Sequence, residues 1–288
     1  MTCYFFVSFF RRFILSLSII FLSLSIYFQL NFVNHNWIYP PIIETYKEIP
    51  LEEFFNKNLT YLNSLNKLEE YFLSTIITNK FNDIESVIFA DELIRERFIH
   101  GNKNIELKDN WFLYVFNFFS KNRKNSLYLS SLSPDYILKS DYAICNQQAL
   151  IFQFLMKTIG IEYQSVLFNI PSYPNAFGHF ASAVNINDQW LYIDTDLAPD
   201  YDIRDPMVLE GLLSGDKKIF NKLYPAYTIN NIPEGSVKLK FKNRNPSFRG
   251  RLLQDICYFI SHFAWAVLLA IYIVLRKLGK HKTNRSNQ

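Results

Sequence analysis

Residues 140–163, SDYAICNQQALIFQFLMKTIGIEY, decide the fold, because the spacing of their apolar side chains changes along the stretch. From Asn146 to Ile159 apolar residues cover most of a helical circumference, which predicts a largely buried helix. Gly160 ends that helix, and apolar residues then alternate with polar ones from Tyr163 to Ile170, as in a strand. Cys145 therefore lies at the start of the predicted buried helix.

The chain after this helix carries three further strand patterns. His179–Val184 and Gln189–Ile193 read as two strands joined through the turn-rich tetrad Asn185–Asp188. Apolar residues alternate with lysines over 237–241, which predicts a half-exposed strand. The predicted fold class is α+β, with a helical first half and an antiparallel sheet after the cysteine helix.

The first half of the chain shows helical patterns. The spacing over Asn63–Phe81 and Ile84–His100 predicts two helices, the second ended by Gly101. Asp109 is predicted to cap a short aromatic helix, NWFLYVFNFF, and Ser133-Pro134 to begin another helix. These helices precede the cysteine helix and belong to the same predicted domain.

Two long apolar runs lie near the ends of the chain. Phe13–Val33 and Ile256–Leu275 carry no Asp, Glu, Lys or Arg. About 20 helical residues reach ~30 Å, enough to cross a bilayer core, so both runs are predicted to be transmembrane helices rather than buried core helices. A cleaved signal peptide is the rival interpretation of the first run. The stretch IYFQLNF lacks the small-x-small cleavage pattern, which favours an uncleaved anchor.

The positions of Lys and Arg predict a two-pass protein with cytoplasmic termini and an extracytoplasmic central domain. Arg11 and Arg12 precede the first run, and its far flank, NFVNHNW, has neither Lys nor Arg. Basic residues follow the second run: Arg276, Lys277, Lys280, Lys282 and Arg285. A second basic cluster on the domain side opposes this orientation: Lys238, Lys240, Lys242, Arg244, Arg249 and Arg251. Charges on a folded, translocated domain count less in this rule, so the orientation is kept.

The predicted organisation is a cytoplasmic tip and anchor over 1–33, one globular domain over 34–250, a second transmembrane helix over 256–275 and a basic cytoplasmic tail over 276–288. The net charge of +4 gives no reason to expect nucleic acid as a partner. Membrane lipid is the predicted partner of the basic segment 238–251.

The three cysteines, Cys3, Cys145 and Cys257, leave one thiol in the central domain and therefore no disulfide within it. The chain has no CxxC pair and no Cys/His cluster at zinc spacing. Neither a metal site nor a cofactor is predicted.

Cys145 has two interpretations. The unpaired N–H groups and the dipole of a helix N-terminus favour a thiolate, which is the nucleophilic form of cysteine. Cysteine is also often a small, buried, apolar residue, so Cys145 could have a purely structural role. The choice between them depends on whether a base lies nearby.

The predicted hairpin supplies that base. If Asn185–Asp188 form a four-residue loop, His179 falls opposite Asp194 on the same sheet face, where a carboxylate can hold one imidazole tautomer. If the loop is only Asn187-Asp188, His179 falls opposite Asp196 instead. The competing interpretations are a structural histidine and two aspartates that serve the following turn.

A census of the five histidines narrows the choice of base. Three of them lie beside the first apolar run, inside the second run and in the tail: His35, His262 and His281. Only His100 competes with His179, and no hairpin pattern surrounds it.

These motifs resemble the core of the transglutaminase-like superfamily of papain-like thiol enzymes. The matching features are Cys145 on a helix, the Gly160-Ile161 turn before a strand, His179 near a strand start, and Trp190 shortly before Asp194 at a strand end. The resemblance covers roughly residues 130–200.

The chain departs from the family pattern at three positions. Ala143 stands where a glycine or another small residue is frequent, Phe180 and Ala181 are in the reverse of the usual order, and Thr195 replaces a common proline. The zinc-binding cysteines of the related peptide:N-glycanases are missing from the sequence, which argues against that branch.

The resemblance implies a mechanism. His179 takes the proton of Cys145, the thiolate attacks a carboxamide or peptide carbonyl, and Asp194 orients His179. The backbone N–H of Cys145 supplies one oxyanion-hole donor, and the second donor is unidentified. Water as acceptor gives hydrolysis and an amine gives cross-linking, and the sequence leaves both open.

The predicted function is that of a membrane-anchored, cysteine-dependent acyl-transfer enzyme of peptidase, amidase or transglutaminase type. Its substrates would be protein or peptide carboxamides, acylated through a thioester. The first alternative is a catalytically inactive binding or scaffold module at the membrane. The second gives the two apolar helices a membrane role of their own.

Overall fold

The computed structural model describes residues 2–30, 54–101, 103–119, 129–171, 177–197, 199–227, 229 and 231–285. The α-helices in this part of the chain are α1 (Thr2–Gln29), α2 (Leu65–Asn79), α3 (Asp83–Arg97), α4 (Trp111–Phe119), α5 (Pro134–Leu138), α6 (Cys145–Thr158), α7 (Pro206–Ser214), α8 (Lys217–Leu223) and α9 (Phe248–Arg285). The strands are β1 (Ile99–His100), β2 (Tyr142–Ala143), β3 (Glu162–Ile170), β4 (Phe177–Ile186), β5 (Gln189–Ile193) and β6 (Val237–Lys240). A 3₁₀ helix, Lys57–Tyr61, precedes α2.

The chain divides into two units. Residues 44–103 and 131–248 form the first, here called the central unit. Residues 1–43, 104–130 and 249–288 form the second, here called the terminal-helix unit. The sheet and the cysteine helix α6 belong to the central unit, whereas α1 and α4 belong to the terminal-helix unit together with α9 from Arg249 onward.

The central unit contains a four-stranded antiparallel sheet in the order β5–β4–β3–β6. Strand β5 covers the predicted residues, β3 and β6 differ from prediction by one residue at an end, and β4 is longer at both ends. The sheet follows the mainly helical first half of the chain. The α+β fold class is therefore confirmed.

Side chains alternate between the two faces of this sheet. Tyr163, Val184 and Leu191 join an apolar core with α6, α2 and α3. Val166 and Tyr192 join a second core with α7 and α8 on the other face. Successive strand residues point to opposite faces, so both faces of a strand pair are buried here.

The β4–β5 turn contains two residues rather than four. Ile186 pairs with Gln189, and the turn residues Asn187 and Asp188 both have positive φ, 51° and 62°. Two left-handed residues form the tight turn whose twist matches that of antiparallel strands, and Asn and Asp tolerate this conformation best after glycine. The four-residue alternative for Asn185–Asp188 is therefore wrong.

Helix α3 ends earlier than predicted. Asn82 and Glu85 form a capping box at its start, and Phe98 becomes extended directly after Arg97, with φ −128° and ψ 142°. His100 therefore lies in β1, which pairs in parallel with β2, and Gly101 does not cap the helix. Pairing with a strand distant in sequence overrides the local helical pattern.

Three other helix starts are close to prediction. Ser64 caps α2 by accepting a hydrogen bond from the Lys67 N–H at 3.5 Å. Helix α5 begins at Pro134 after Ser133, as predicted. At α4 the capping side chain is that of Asn110, whose Oδ1 accepts from the Leu113 N–H at 3.3 Å, so the assignment of the cap to Asp109 is wrong.

The terminal-helix unit contains two helices that are long and apolar enough to cross a membrane. The apolar stretches are Phe9–Gln29 of α1 and Phe248–Leu278 of α9. The first overlaps the predicted run Phe13–Val33, whose last three residues lie outside the described part of the chain. Hydrogen bonds between the helices include those from the Ser18 Oγ to the Trp265 carbonyl at 2.8 Å and from the Ser25 Oγ to the Ser261 carbonyl at 2.6 Å.

Candidate active site

Cys145 is the first residue of α6 and is partly exposed. The residue before it, Ile144, is extended, with φ −87° and ψ 172°, so the helix starts abruptly at the thiol. The first N–H groups of a helix have no partner within it, and they point outward at this end. The local sequence thus places a cysteine where backbone donors and the helix dipole favour negative charge.

Gln147 holds the start of this helix in place. Its fully buried amide donates through Nε2 to the carbonyls of Lys103 and Ser131, both at 2.9 Å. Its Oε1 accepts from the N–H groups of Lys103, at 3.1 Å, and Ile144, at 3.3 Å. These four bonds join three separate stretches of chain around the residue before the thiol.

His179 lies on β4 with its side chain 3% exposed, and its Nε2 is 2.9 Å from Oδ2 of Asp194. With the proton on Nε2, the imidazole donates to the carboxylate and keeps Nδ1 for another partner. Three aromatic rings surround the imidazole, with centroids 5.6 to 5.8 Å away: Phe168, Phe177 and Tyr224. The histidine is therefore held in one orientation away from bulk water.

Asp194 follows the last residue of β5, and both oxygens of its carboxylate accept hydrogen bonds. Its Oδ1 accepts the N–H groups of Asp196 at 3.1 Å and Leu197 at 3.2 Å. Its Oδ2 accepts the hydroxyl proton of Tyr224 at 2.6 Å in addition to the contact with His179. A buried carboxylate with this many donors is stable in its ionised form.

The thiol lies beside this pair. The Sγ of Cys145, a ring nitrogen of His179 and a carboxylate oxygen of Asp196 are all within 4.8 Å of one another. The structure thus brings together every candidate residue that the sequence pattern named: Cys145, His179, Asp194 and Asp196. These three atoms are also close enough to one another to hold a metal ion.

The pairing register and the hydrogen bond select different aspartates. Ser182 pairs with Ile193, the last residue of β5. If the same register continued beyond this pair, His179 would stand opposite Asp196. The ladder ends at Ile193, however, and the chain turns at Asp194 through its own side-chain bonds to the following N–H groups. Asp194 therefore reaches the imidazole although the loop length that predicted this contact is wrong.

His100, which the sequence analysis considered only as a competitor of His179, is also a residue of this site. Its Nδ1 lies 2.8 Å from Oδ1 of Asp196, and Gln148 donates to the same oxygen at 2.7 Å. In the β1–β2 pair, His100 stands opposite Ala143, two residues before Cys145. Two imidazole–carboxylate pairs therefore lie near one thiol. No short-range pattern links His100 to residues 142 and 143, so the sequence alone does not predict its contact with Asp196.

The two carboxylates differ in their electrostatics. Burial raises the pKa of Asp194, but the charge and hydrogen bond of His179 together with the Tyr224 hydroxyl outweigh it, and the pKa is lowered. Burial dominates at Asp196, whose pKa is raised even though His100 and His179 oppose the effect. Burial also works against the charged form of His179, but Asp194 and then Cys145 hold its pKa well above the ordinary value. These directions favour an ionised Asp194 and stabilise the charged form that His179 takes when it accepts a proton.

The sequence matches the profile of the transglutaminase-like domain over residues 43–207, more than half of the chain. The chain belongs to this transglutaminase-like family, and the resemblance seen in the sequence is confirmed. Members of the family are typically cysteine enzymes, and the Cys-His-Asp cluster described above lies within the matched residues. A search of the curated proteins finds no match.

Proposed function

We propose that this protein is a membrane-anchored cysteine-dependent acyl-transfer enzyme, with Cys145 as nucleophile, His179 as base and acid, and Asp194 as the residue that orients His179. The observation that carries the proposal is the bond from His179 Nε2 to Asp194 beside a thiol at a helix start. A nucleophile, a base and a third group that fixes the base are the requirements of this chemistry.

In the proposed reaction, His179 Nδ1 accepts the thiol proton and the Cys145 sulfur attacks the carbonyl carbon of a carboxamide. The carbonyl oxygen becomes an oxyanion beside the backbone N–H of Cys145. The C–N bond then breaks, the leaving amine takes the proton from His179, and a thioester remains on the sulfur. Water or a second amine attacks the thioester after giving its proton to His179, and the thiolate leaves.

The electrostatics support these roles. The charged form of His179 is stabilised by Asp194, so an imidazolium is present to protonate the leaving amine. The ring cage around His179 limits water access, which strengthens its interaction with the carboxylate. Protein or peptide carboxamides are the proposed substrates because the family chemistry acts on them, and the acyl acceptor stays open between water and an amine.

A trapping experiment tests the catalytic proposal. We expect the full-length protein, incubated with a library of peptides bearing carboxamide side chains, to carry an acyl adduct on Cys145 that hydroxylamine releases. The adduct should disappear in Cys145→Ala and persist in Cys257→Ala, whose thiol is buried in α9. Mass spectrometry of the intact protein measures it. A folded wild type without any adduct would favour the scaffold role instead.

We also propose that α1 and α9 cross the membrane and that the central unit lies outside the cytoplasm. The distribution of polar residues along both helices supports the first part. Their buried positions include serines and a glutamine: Ser18, Ser25, Gln254 and Ser261. Their exposed positions include large apolar side chains such as Ile19, Phe259 and Phe263. This arrangement is the reverse of a soluble helix pair and suits a hydrocarbon surrounding.

The orientation predicts how the thiol reacts in intact cells. A membrane-impermeant maleimide should label Cys145 before lysis, because this side chain is partly exposed and the proposed location is extracytoplasmic. Labelling is read by gel shift, with Cys145→Ala as the blank. Labelling that appears only after the membrane is opened would reverse the proposed topology and leave the catalytic proposal intact.

A further inference from the structure

The short helix α4 has an inverted distribution of polar and apolar side chains. Its outward positions carry Phe116, Phe118 and Phe119, which are 40%, 48% and 78% exposed. Its single amide residue, Asn117, is 0% exposed and faces inward. The sequence of α4, WFLYVFNFF, contains no charged residue. A helix in water shows the opposite pattern, with apolar residues inside and polar residues outside.

The start of α4 packs against both terminal helices. The Trp111 ring stacks on Phe28 of α1 with centroids 5.6 Å apart, and lies 5.8 Å from the ring of Phe21. The Trp111 Nε1 donates to the Ser261 carbonyl of α9 at 3.0 Å, and the Phe112 N–H donates to the Ser261 hydroxyl at 2.9 Å. All of these residues belong to the terminal-helix unit.

The polar groups where the three helices meet satisfy one another. His262 is 2.8 Å from the Asp109 carbonyl through Nε2 and 2.8 Å from the Gln29 amide through Nδ1, which fits one neutral tautomer. The Asn110 side chain donates to the Gln254 carbonyl at 2.9 Å and accepts from the Ser261 hydroxyl at 3.2 Å. Polar groups without water must be paired within the protein, and these are.

The positions of these contacts along α1 and α9 also indicate how deep α4 would lie in a membrane that the two helices cross. On α1 they involve residues 21–29, the last part of its apolar stretch, and on α9 they involve residues 254–262, the first part. Both are the ends at which the helices continue into the central part of the chain. Nine helical residues extend only ~14 Å, too short to cross a bilayer core of ~30 Å.

We propose that α4 is a third membrane element, which lies partly inserted in one leaflet with its outward phenylalanines against lipid acyl chains. The inference rests on the proposed membrane location of α1 and α9. Lipid is the occupant because α4 packs against both of those helices, its sequence contains no charged residue, and aromatic side chains are favoured at membrane interfaces.

Quenching of a fluorescent probe by brominated lipids tests whether α4 lies in the membrane. The full-length protein, with its three cysteines replaced by serine, would carry one new cysteine at a time, labelled with an environment-sensitive fluorophore and reconstituted in vesicles of phosphatidylcholine and phosphatidylglycerol. The positions are Phe118→Cys on α4, Phe263→Cys on α9 and Ile77→Cys on α2. Phe118 and Phe263 are 48% and 49% exposed, so they form a matched pair, and Ile77 is an exposed apolar residue of the central unit.

We expect lipids brominated on the acyl chains to quench the probes at 118 and 263 severalfold and to leave the probe at 77 unchanged. Quenching at 263 without quenching at 118 would overturn the proposal for α4 while α1 and α9 remain membrane helices. A lack of quenching at both positions would refute the membrane location itself. All three substitutions lie on exposed side chains, so loss of folding is not expected to interfere.

Discussion

His179→Ala is expected to reduce the rate of acyl transfer by roughly 10⁴-fold, the upper range for loss of a general acid–base. The imidazole is the group that both removes the Cys145 proton and protonates the leaving amine in the proposed mechanism. Its contact with Asp194 at 2.9 Å and the surrounding aromatic rings hold the imidazole in position for both steps. Single-turnover acylation of a peptide carboxamide measures the effect.

His100→Ala is the matched control for this substitution. His100 also pairs with a buried aspartate, but its partner is Asp196 and its Nδ1 is used in that contact. We expect a much smaller loss of rate than in His179→Ala, because the described hydrogen bond of His100 in this site is to Asp196. Equal losses in the two variants, at equal thermal stability, would contradict the assignment of His179 as the base.

Asp194→Asn is expected to lower the acylation rate roughly 10²- to 10⁴-fold, as in other triads whose carboxylate becomes an amide. The Oδ1 position accepts two backbone N–H groups, so the Asn oxygen should remain there and its NH₂ should face His179. An amide donor at this position forces Nε2 to become an acceptor and moves the ring proton to Nδ1. The imidazole then presents a proton rather than a lone pair to the thiol.

The same substitution should move the alkaline limb of the rate profile to lower pH. Asp194 is the main group that raises the pKa of His179, and burial alone would lower it. Without the carboxylate, the imidazolium loses its proton at a lower pH, so the form that protonates the leaving amine disappears earlier. The dependence of kcat/KM on pH for the acylation of a peptide amide gives this shift.

Asp196→Asn tests whether Asp194 or Asp196 is the third member of the triad. Asp196 holds His100 and accepts from Gln148, and it makes no described hydrogen bond to His179. We therefore expect a smaller change in rate and little displacement of the alkaline limb. If this variant, rather than Asp194→Asn, showed the large loss and the pH shift, the third member of the triad would be Asp196.

The candidate site was predictable where neighbouring positions in the chain carry the information. A thiol at the first residue of a buried helix follows from the apolar pattern after Cys145, and a histidine near the start of a hairpin strand follows from period-two alternation. The choice between Asp194 and Asp196 was not predictable in this way, because it depends on where the strand ladder ends. His100 was set aside as a base, and its contact with Asp196 was not predictable for a related reason: its strand partner lies more than 40 residues away, and β1 contains only two residues.

The terminal-helix unit likewise has features that the sequence predicted and features that only the tertiary structure shows. Length and composition were sufficient to find two helices that can cross a membrane, because hydrocarbon thickness sets the required apolar length. The aromatic helix near residue 110 was predicted as a helix, but its sequence says nothing about which elements it packs against. Only the tertiary structure shows that Trp111 packs against α1 and α9 and that buried serines of α1 donate to carbonyls of α9. Periodicity reports which residues of a segment share a face, whereas the partner of that face is decided by packing between segments distant in the chain.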